Sequence, residues 1–448
     1  MTTSHAAPTG RGLGLWMATA LVVGNMVGSG VFLLPAALAP YGGISLVGWG
    51  VTTTGALLLA VVFARLSRLV PRVGGPYAYT RIGFGDFAAF LVAWGYWISI
   101  WVANAAIAVA FVGYLTVFWP ALRHSPLLAA LVALSAIWLL TWVNASGVRR
   151  AGSVQLVTTI IKLLPLIAVG ALGIFYFNPD HLRPFNPSGG GVLPAVSATV
   201  ALTLWSFLGL ESATIPAGDV ERPARTIPRA TLIGTLIAAV VYISSTTAVL
   251  GVIRPAGLAD STAPFADAAA LMWGGWAGYA VAAGAAVSCF GALNGWILLQ
   301  GQIPLAAALD GLFPKSFSRL SRRGTPVFGL VVSSVLITVL TFMNYTRGLV
   351  EQFTFMILLA TLTTLVPYLF SSMTYLLMVL RDPAKAAGRS VAASIAVALI
   401  AFAYSMWAIA GSGRDTVFWG FLLLFAGAPV YVWITWRRGG AVTTGDGP

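Results

Sequence analysis

Gly24-Asn25-Met26-Val27-Gly28-Ser29-Gly30 lies inside an apolar run, near 13–39, that is long enough to span a bilayer. A glycine within a helix costs about 1 kcal/mol relative to alanine. Two glycines flanking a serine at bilayer depth therefore point to a helix that stops and restarts. The opened backbone loses its internal partners, and at that depth only protein, water or a ligand can satisfy it.

The surrounding chain has the composition of a membrane protein. It is 58% hydrophobic and 8% charged over 448 residues, against about 25% charged in an ordinary soluble domain. Apolar stretches able to span lie near 13–39, 44–66, 86–118, 126–144, 153–177, 193–217, 228–253, 277–309, 326–344, 351–380, 391–411 and 416–436, which predicts twelve membrane helices. The net charge of +13 would suggest nucleic acid in a soluble protein, but its distribution points elsewhere. With the N-terminus inside, nineteen of the 25 basic residues fall on inside segments, five fall outside and Lys162 falls within a span. This places both termini in the cytoplasm and assigns the charge to membrane lipid and insertion, with no nucleic acid partner. Residues 1–10 lack a basic n-region and run into a span too long for a signal-peptide core, so no cleavable signal is expected.

Several functions are disfavoured. Cys289 is the single cysteine, so no disulfide can form within the chain, and His5, His124 and His181 lie in the tail or in loops. No cluster of metal-ligating residues, no cofactor motif and no nucleophile motif is present, which argues against an enzyme. The short termini argue against a non-transporting receptor.

A transporter built from repeats places two discontinuous helices at corresponding positions of its halves. Leu204-Trp205-Ser206-Phe207-Leu208-Gly209-Leu210-Glu211-Ser212-Ala213, five spans later, supplies the second break. The half-helix starting at Ser29 offers free N–H groups and a positive dipole end suited to a carboxylate. Carbonyls near Met26 and from Trp205 to Leu208 suit an ammonium, and a zwitterionic α-amino acid satisfies both ends. The competing reading, in which Gly28 and Gly30 only let helices pack closely, loses weight beside the second break. Pro71-Arg72-Val73-Gly74-Gly75-Pro76-Tyr77-Ala78-Tyr79 reads as a cytoplasmic loop, re-entrant or simple, and Asp219-Val220-Glu221-Arg222-Pro223 and Asp310-Gly311-Leu312-Phe313-Pro314 as further cytoplasmic loops.

Glu211 is the one carboxylate in a span core, a functional candidate by default; it could recognise a cation, carry a proton or lock its helix. Lys162 is the one basic residue in a span core. It could cycle its proton, or stand in for a bound cation by donating to the unwound carbonyls of the first helix, with snorkelling as the simpler alternative. Trp296, in Asn294-Gly295-Trp296, could cover a cation. Asn104 is a polar amide in an apolar helix, for which interhelical bonding is the plainer reading.

These stretches, with Gly74-Gly75-Pro76-Tyr77-Ala78-Tyr79, Ser261-Thr262-Ala263-Pro264-Phe265 and Leu365-Val366-Pro367-Tyr368, resemble the amino acid-polyamine-organocation (APC) transporters from Gly14 to about Trp436. The likeness is greatest to the basic amino acid/polyamine antiporter group, above all to its arginine/agmatine exchangers, with putrescine/ornithine and cadaverine/lysine exchangers next. The resemblance implies an all-α integral membrane fold of the leucine-transporter type working by alternating access. A first inverted repeat would cover 13–177 and a second 193–380, with two extra helices at 391–436 and cytoplasmic tails at 1–12 and 437–448. It implies that Ser29 and Gly30 hold a substrate carboxylate, that carbonyls of Met26, Trp205 and Leu208 hold its amino group, and that Trp205 is a gate. It further implies that Trp296 and Asn104 meet the distal cation and that Asn25, Tyr96 and Glu211 serve pocket and gate.

The pattern departs from those exchangers in two ways. Ile100, Ile357 and Leu358 stand where they carry a cysteine and two serines, so the side-chain pocket, which Ser99 also faces, is greasier than a guanidinium prefers. Lys162 stands where proton-coupled relatives carry a lysine. The main expectation is exchange of a cationic amino acid such as arginine for an amine such as agmatine at the bacterial inner membrane, without a cofactor. A proton-coupled carrier of neutral amino acids is the alternative, and the resemblance leaves a homodimer open.

Overall fold

A computed structural model describes residues 14–71, 74–146, 162–214, 220–386 and 390–442. The tail 1–12, most of the tail 437–448, Arg72, Val73, Arg149, Arg150, Asp219, Arg389 and the first part of the 153–177 span lie outside the described residues. All regular structure described is helical. Among the described residues, ten helical stretches are long and apolar enough to cross a membrane, and Lys162–Tyr176 and Val192–Phe207 are shorter apolar helices.

The first apolar segment is two helices, α1 (Leu15–Met26) and α2 (Ser29–Leu38). Val27 takes an extended conformation and Gly28 sits at φ −134°, ψ −140°, so the α1 ladder cannot continue. The last bond of that ladder runs from the Val27 N–H to the Val23 carbonyl at 2.7 Å. Gly30 serves close approach: a Cβ there would fall 2.8 Å from Nε1 of Trp205.

Next come α3 (Ile44–Leu69), α4 (Pro76–Leu115) and α5 (Pro126–Ala145). The loop expected over 71–79 ends earlier than its Gly-Pro content suggests. Pro76 occupies the first turn of α4, where its missing N–H costs nothing and its fixed φ fits a helix. Tyr77 and Tyr79 are therefore helical and buried. A kink at Gly85, φ 78°, separates this opening from the membrane run of α4.

Helix α6 (Lys162–Tyr176) begins at the buried Lys162. Helix α7 (Val192–Leu204) gives way to a 3-10 turn at Trp205–Phe207, an extended Leu208, Gly209 at φ 100° and a second 3-10 turn at Ser212–Thr214. The remaining long helices are α8 (Pro223–Val252), α9 (Gly275–Leu309), α10 (Val327–Asn344), α11 (Leu349–Arg381) and α12 (Val391–Gly411), followed by α13 (Arg414–Phe425) and α14 (Gly427–Val442). Helices α1, α2, α4, α7, α9 and α11 bring their buried residues to a common interior, where the two breaks meet.

Candidate substrate site between the broken helices

The breaks face each other. A cavity of about 20 Å³ is lined by Asn25, Met26, Gly28, Gly30, Ser99, Ala103, Ile107, Trp205, Leu208, Trp296 and Thr364. One water needs about 10–15 Å³ of such space, so this conformation is closed around the site and must widen to take an amino acid. Most of the candidates read from the sequence converge here: Asn25, Met26 and Gly30 from the first break, Ser99 from α4, Trp205 and Leu208 from the second break and Trp296 from α9. Ser29 opens α2 beside them. The Trp205 carbonyl accepts from the Leu208 N–H at 3.2 Å, leaving one lone pair. The indole N–H of Trp205 and the hydroxyl of Ser206 are buried with no hydrogen-bond partner among the described residues. Buried donors of that kind are rare in folded proteins, and both lie against Gly30.

Besides Ser29, four substrate candidates fall outside this lining. Ile100 is fully buried within α4. Asn104 donates through Nδ2 to Oε1 of Gln300 at 2.7 Å, and Gln300 donates on to Ser334 at 3.0 Å. Its amide thus ties α4 to α9 and α10, the plainer reading of that residue, while its Oδ1 is buried without a partner among the described residues. Leu358 lines a separate cavity of about 860 Å³ on the face where α2 ends and α11 begins, together with Tyr41, Arg123, Leu202, Asp260 and Glu351. Tyr96 belongs to a different constellation.

That constellation is centred on Glu211. Tyr96 from α4 donates to Oε1 at 2.6 Å, and Tyr368 from α11 donates to Oε2 at 2.6 Å. All three side chains are buried. A carboxylate accepting two hydroxyls is well compensated for burial, and here it straps the second break to α4 and α11. Closer to the arginine-rich face, the end of the bundle that carries Arg68, Arg81, Arg222, Arg225 and Arg229, Tyr77 donates to Asp310 at 2.7 Å, and Arg81 pairs with Asp310 at 3.2 Å and Asp86 at 2.8 Å. These bonds join the start of α4 to the end of α9. These bonds cross-link the helices on the arginine-rich face, while the cavity of about 860 Å³ lies where α2 ends and α11 begins.

Lys162 meets the first break from behind. Its ammonium donates to the Gly24 carbonyl at 3.4 Å, a long bond by ordinary standards. Tyr368, Thr364, Ala103, Ile107 and Gln300 were not singled out from the sequence as site residues. Only Tyr368 carried a signal, its place in Leu365-Val366-Pro367-Tyr368.

Two broken helices joined at a closed cavity, within a bundle of apolar helices, define a secondary transporter. The amino acid permease family model matches residues 13–435, and the chain belongs to that family, in the APC superfamily. It is a multi-pass membrane transporter and not an enzyme. Among its relatives is the putrescine transporter PotE of Haemophilus influenzae, 34% identical over 95% of this chain and 97% of that one. PotE of Escherichia coli K12 is 34% identical over 94% and 95%. The cadaverine/lysine antiporter of Escherichia coli K12 is 35% identical over 80% and 82%.

Proposed function

We propose that this protein exchanges a cationic amino acid for its decarboxylated amine across a bacterial inner membrane by alternating access. The observation that carries the reading is the meeting of the two helix breaks at one small cavity. The start of α2 at Ser29 and Gly30, with the unpaired Trp205 N–H, would receive the carboxylate; carbonyls of Met26, Trp205 and Leu208 would receive the ammonium. Trp296 would stack on the distal cation.

The relatives named for putrescine and for cadaverine and lysine favour a linear ammonium over a guanidinium, in keeping with Ile100. Lysine with cadaverine, or ornithine with putrescine, is thus preferred to arginine with agmatine. The architecture would be twelve spans, as inverted repeats at 13–177 and 193–380 followed by 391–436, with the arginine-rich face and both termini in the cytoplasm. Glu211 with Tyr96 and Tyr368, and Asp310 with Tyr77 and Arg81, would form the inner gate.

A second reading rests on Lys162, whose bond to the first break could couple a proton to the transport of neutral amino acids. Counterflow separates the two. Proteoliposomes loaded with lysine, ornithine, arginine, cadaverine, putrescine, agmatine or leucine are assayed for uptake of the labelled compound, with and without a pH gradient. Cationic substrates should exchange without a gradient; accumulation of leucine alone, driven by the gradient, would overturn the cationic assignment.

A further inference from the structure

A cavity of about 570 Å³ lies at the arginine-rich face between the ends of α1, α3 and α8, lined by Leu15, Arg68, Arg222, Ala224, Arg225, Thr226 and Arg229. Arg225 and Arg229 share one face at the start of α8, Arg222 precedes them at its N-cap, and Arg68 enters from the last turn of α3. No ion pair or hydrogen bond among the described residues reaches any of the four guanidinium groups. The five ion pairs seen among the described residues lie elsewhere. Glu221 is the nearest carboxylate in sequence; it is exposed, pairs with none of them and reaches toward Gly14.

Two of these charges, Arg222 and Arg225, stand in the first turn at the positive end of a 30-residue helix, where cations are disfavoured. Pro223 and the uncapped Arg222 leave that helix end without a side-chain acceptor. Such an arrangement is relieved by an anion. Trp16 and Met17, next to Leu15, are 72% and 57% exposed, which suits side chains at a membrane interface.

We propose that this cavity binds the phosphate headgroup of an anionic phospholipid, with Arg225 and Arg229 as its main contacts and Arg68 closing it from the opposite helix. Binding is independent of transport, so the test reads it directly. Purified, delipidated full-length protein is titrated with dioleoylphosphatidylglycerol, with dioleoylphosphatidylcholine and with inorganic phosphate, and lipid retention is followed by native mass spectrometry.

Phosphatidylglycerol should bind in preference to phosphatidylcholine. Arg225→Gln with Arg229→Gln should weaken that binding about 30-fold, at roughly 1 kcal/mol per basic residue. Arg68→Gln, on a separate helix, should weaken it in the same direction and guards against loss of fold in the double variant. Removing equal charge at Arg319 and Arg322, exposed in another loop of the same face, should leave it unchanged. Equal losses from both double variants, or no preference over phosphatidylcholine, overturns the site. Displacement of the lipid by millimolar inorganic phosphate overturns the lipid as its occupant.

Discussion

The ammonium of Lys162 donates to the carbonyl of Gly24 at 3.4 Å, the first carbonyl of α1 that has no donor four residues on. The preceding carbonyl, Val23, still receives the Val27 N–H. The Lys162 ammonium thus stands where the donor that the break removes would have been. An unsatisfied buried carbonyl costs about 1–3 kcal/mol. Lys162→Met should therefore lower exchange about tenfold or more in counterflow, with the protein still eluting as a folded species. Exchange at the parental rate would show that the first break holds its shape without the ammonium.

Gly30 and Trp205 connect the two breaks. Gly30→Ala would place a methyl 2.8 Å from Nε1 of Trp205 and 3.3 Å from Oγ of Ser206, so the indole must move. Gly50, exposed on α3, meets nothing within 4 Å. Gly50→Ala should be neutral or gain up to about 1 kcal/mol from helix propensity, whereas Gly30→Ala should abolish measurable exchange. Thermal unfolding and counterflow on both variants check the contrast.

Glu211 joins the second break to α4 through Tyr96 and to α11 through Tyr368, and the proposed inner gate rests on these bonds. Each hydroxyl–carboxylate bond is worth about 1.5–3 kcal/mol, so Tyr368→Phe should shift the population toward opening on the arginine-rich face. With Cys289→Ala as background and a cysteine introduced by Thr364→Cys, thiol labelling from that face should accelerate roughly tenfold on adding Tyr368→Phe. Unchanged labelling would remove the gate role from this pair.

Trp296 lines the site beside Ser99 and Ala103. Stacking over a desolvated cation is worth about 2 kcal/mol. Trp296→Leu should weaken lysine or cadaverine about tenfold or more and a neutral aliphatic substrate much less, measured as half-saturating concentrations in exchange. Equal losses would mean that the ring only packs.

The amount legible in the sequence followed from the range of the forces involved. Apolar runs set helix lengths directly, so the span read over 391–411 is Val391–Gly411 in the structure. The breaks were visible because glycine and charge at bilayer depth have few other uses. Pro76 misled because proline forbids a helix interior but favours its first turn. The Glu211 strap was half visible: the carboxylate stood out alone, whereas Tyr368, 157 residues away, looked like any interior aromatic. Asn104 stood out as a lone amide, but its partner Gln300 is 196 residues on, and periodicity does not register helices over such separations. Leu358 was placed by counting from a motif, which fixes its position along α11 but not the cavity it faces.

The central claim is exchange of a cationic amino acid for its amine at the joined breaks. Its most direct test is uptake of labelled lysine, and separately of labelled ornithine, into proteoliposomes that are empty or preloaded with cadaverine or putrescine, without a pH gradient. Uptake is expected only into vesicles preloaded with the matching amine, one molecule entering for each that leaves. Equal uptake into empty vesicles, or none into any, would contradict it.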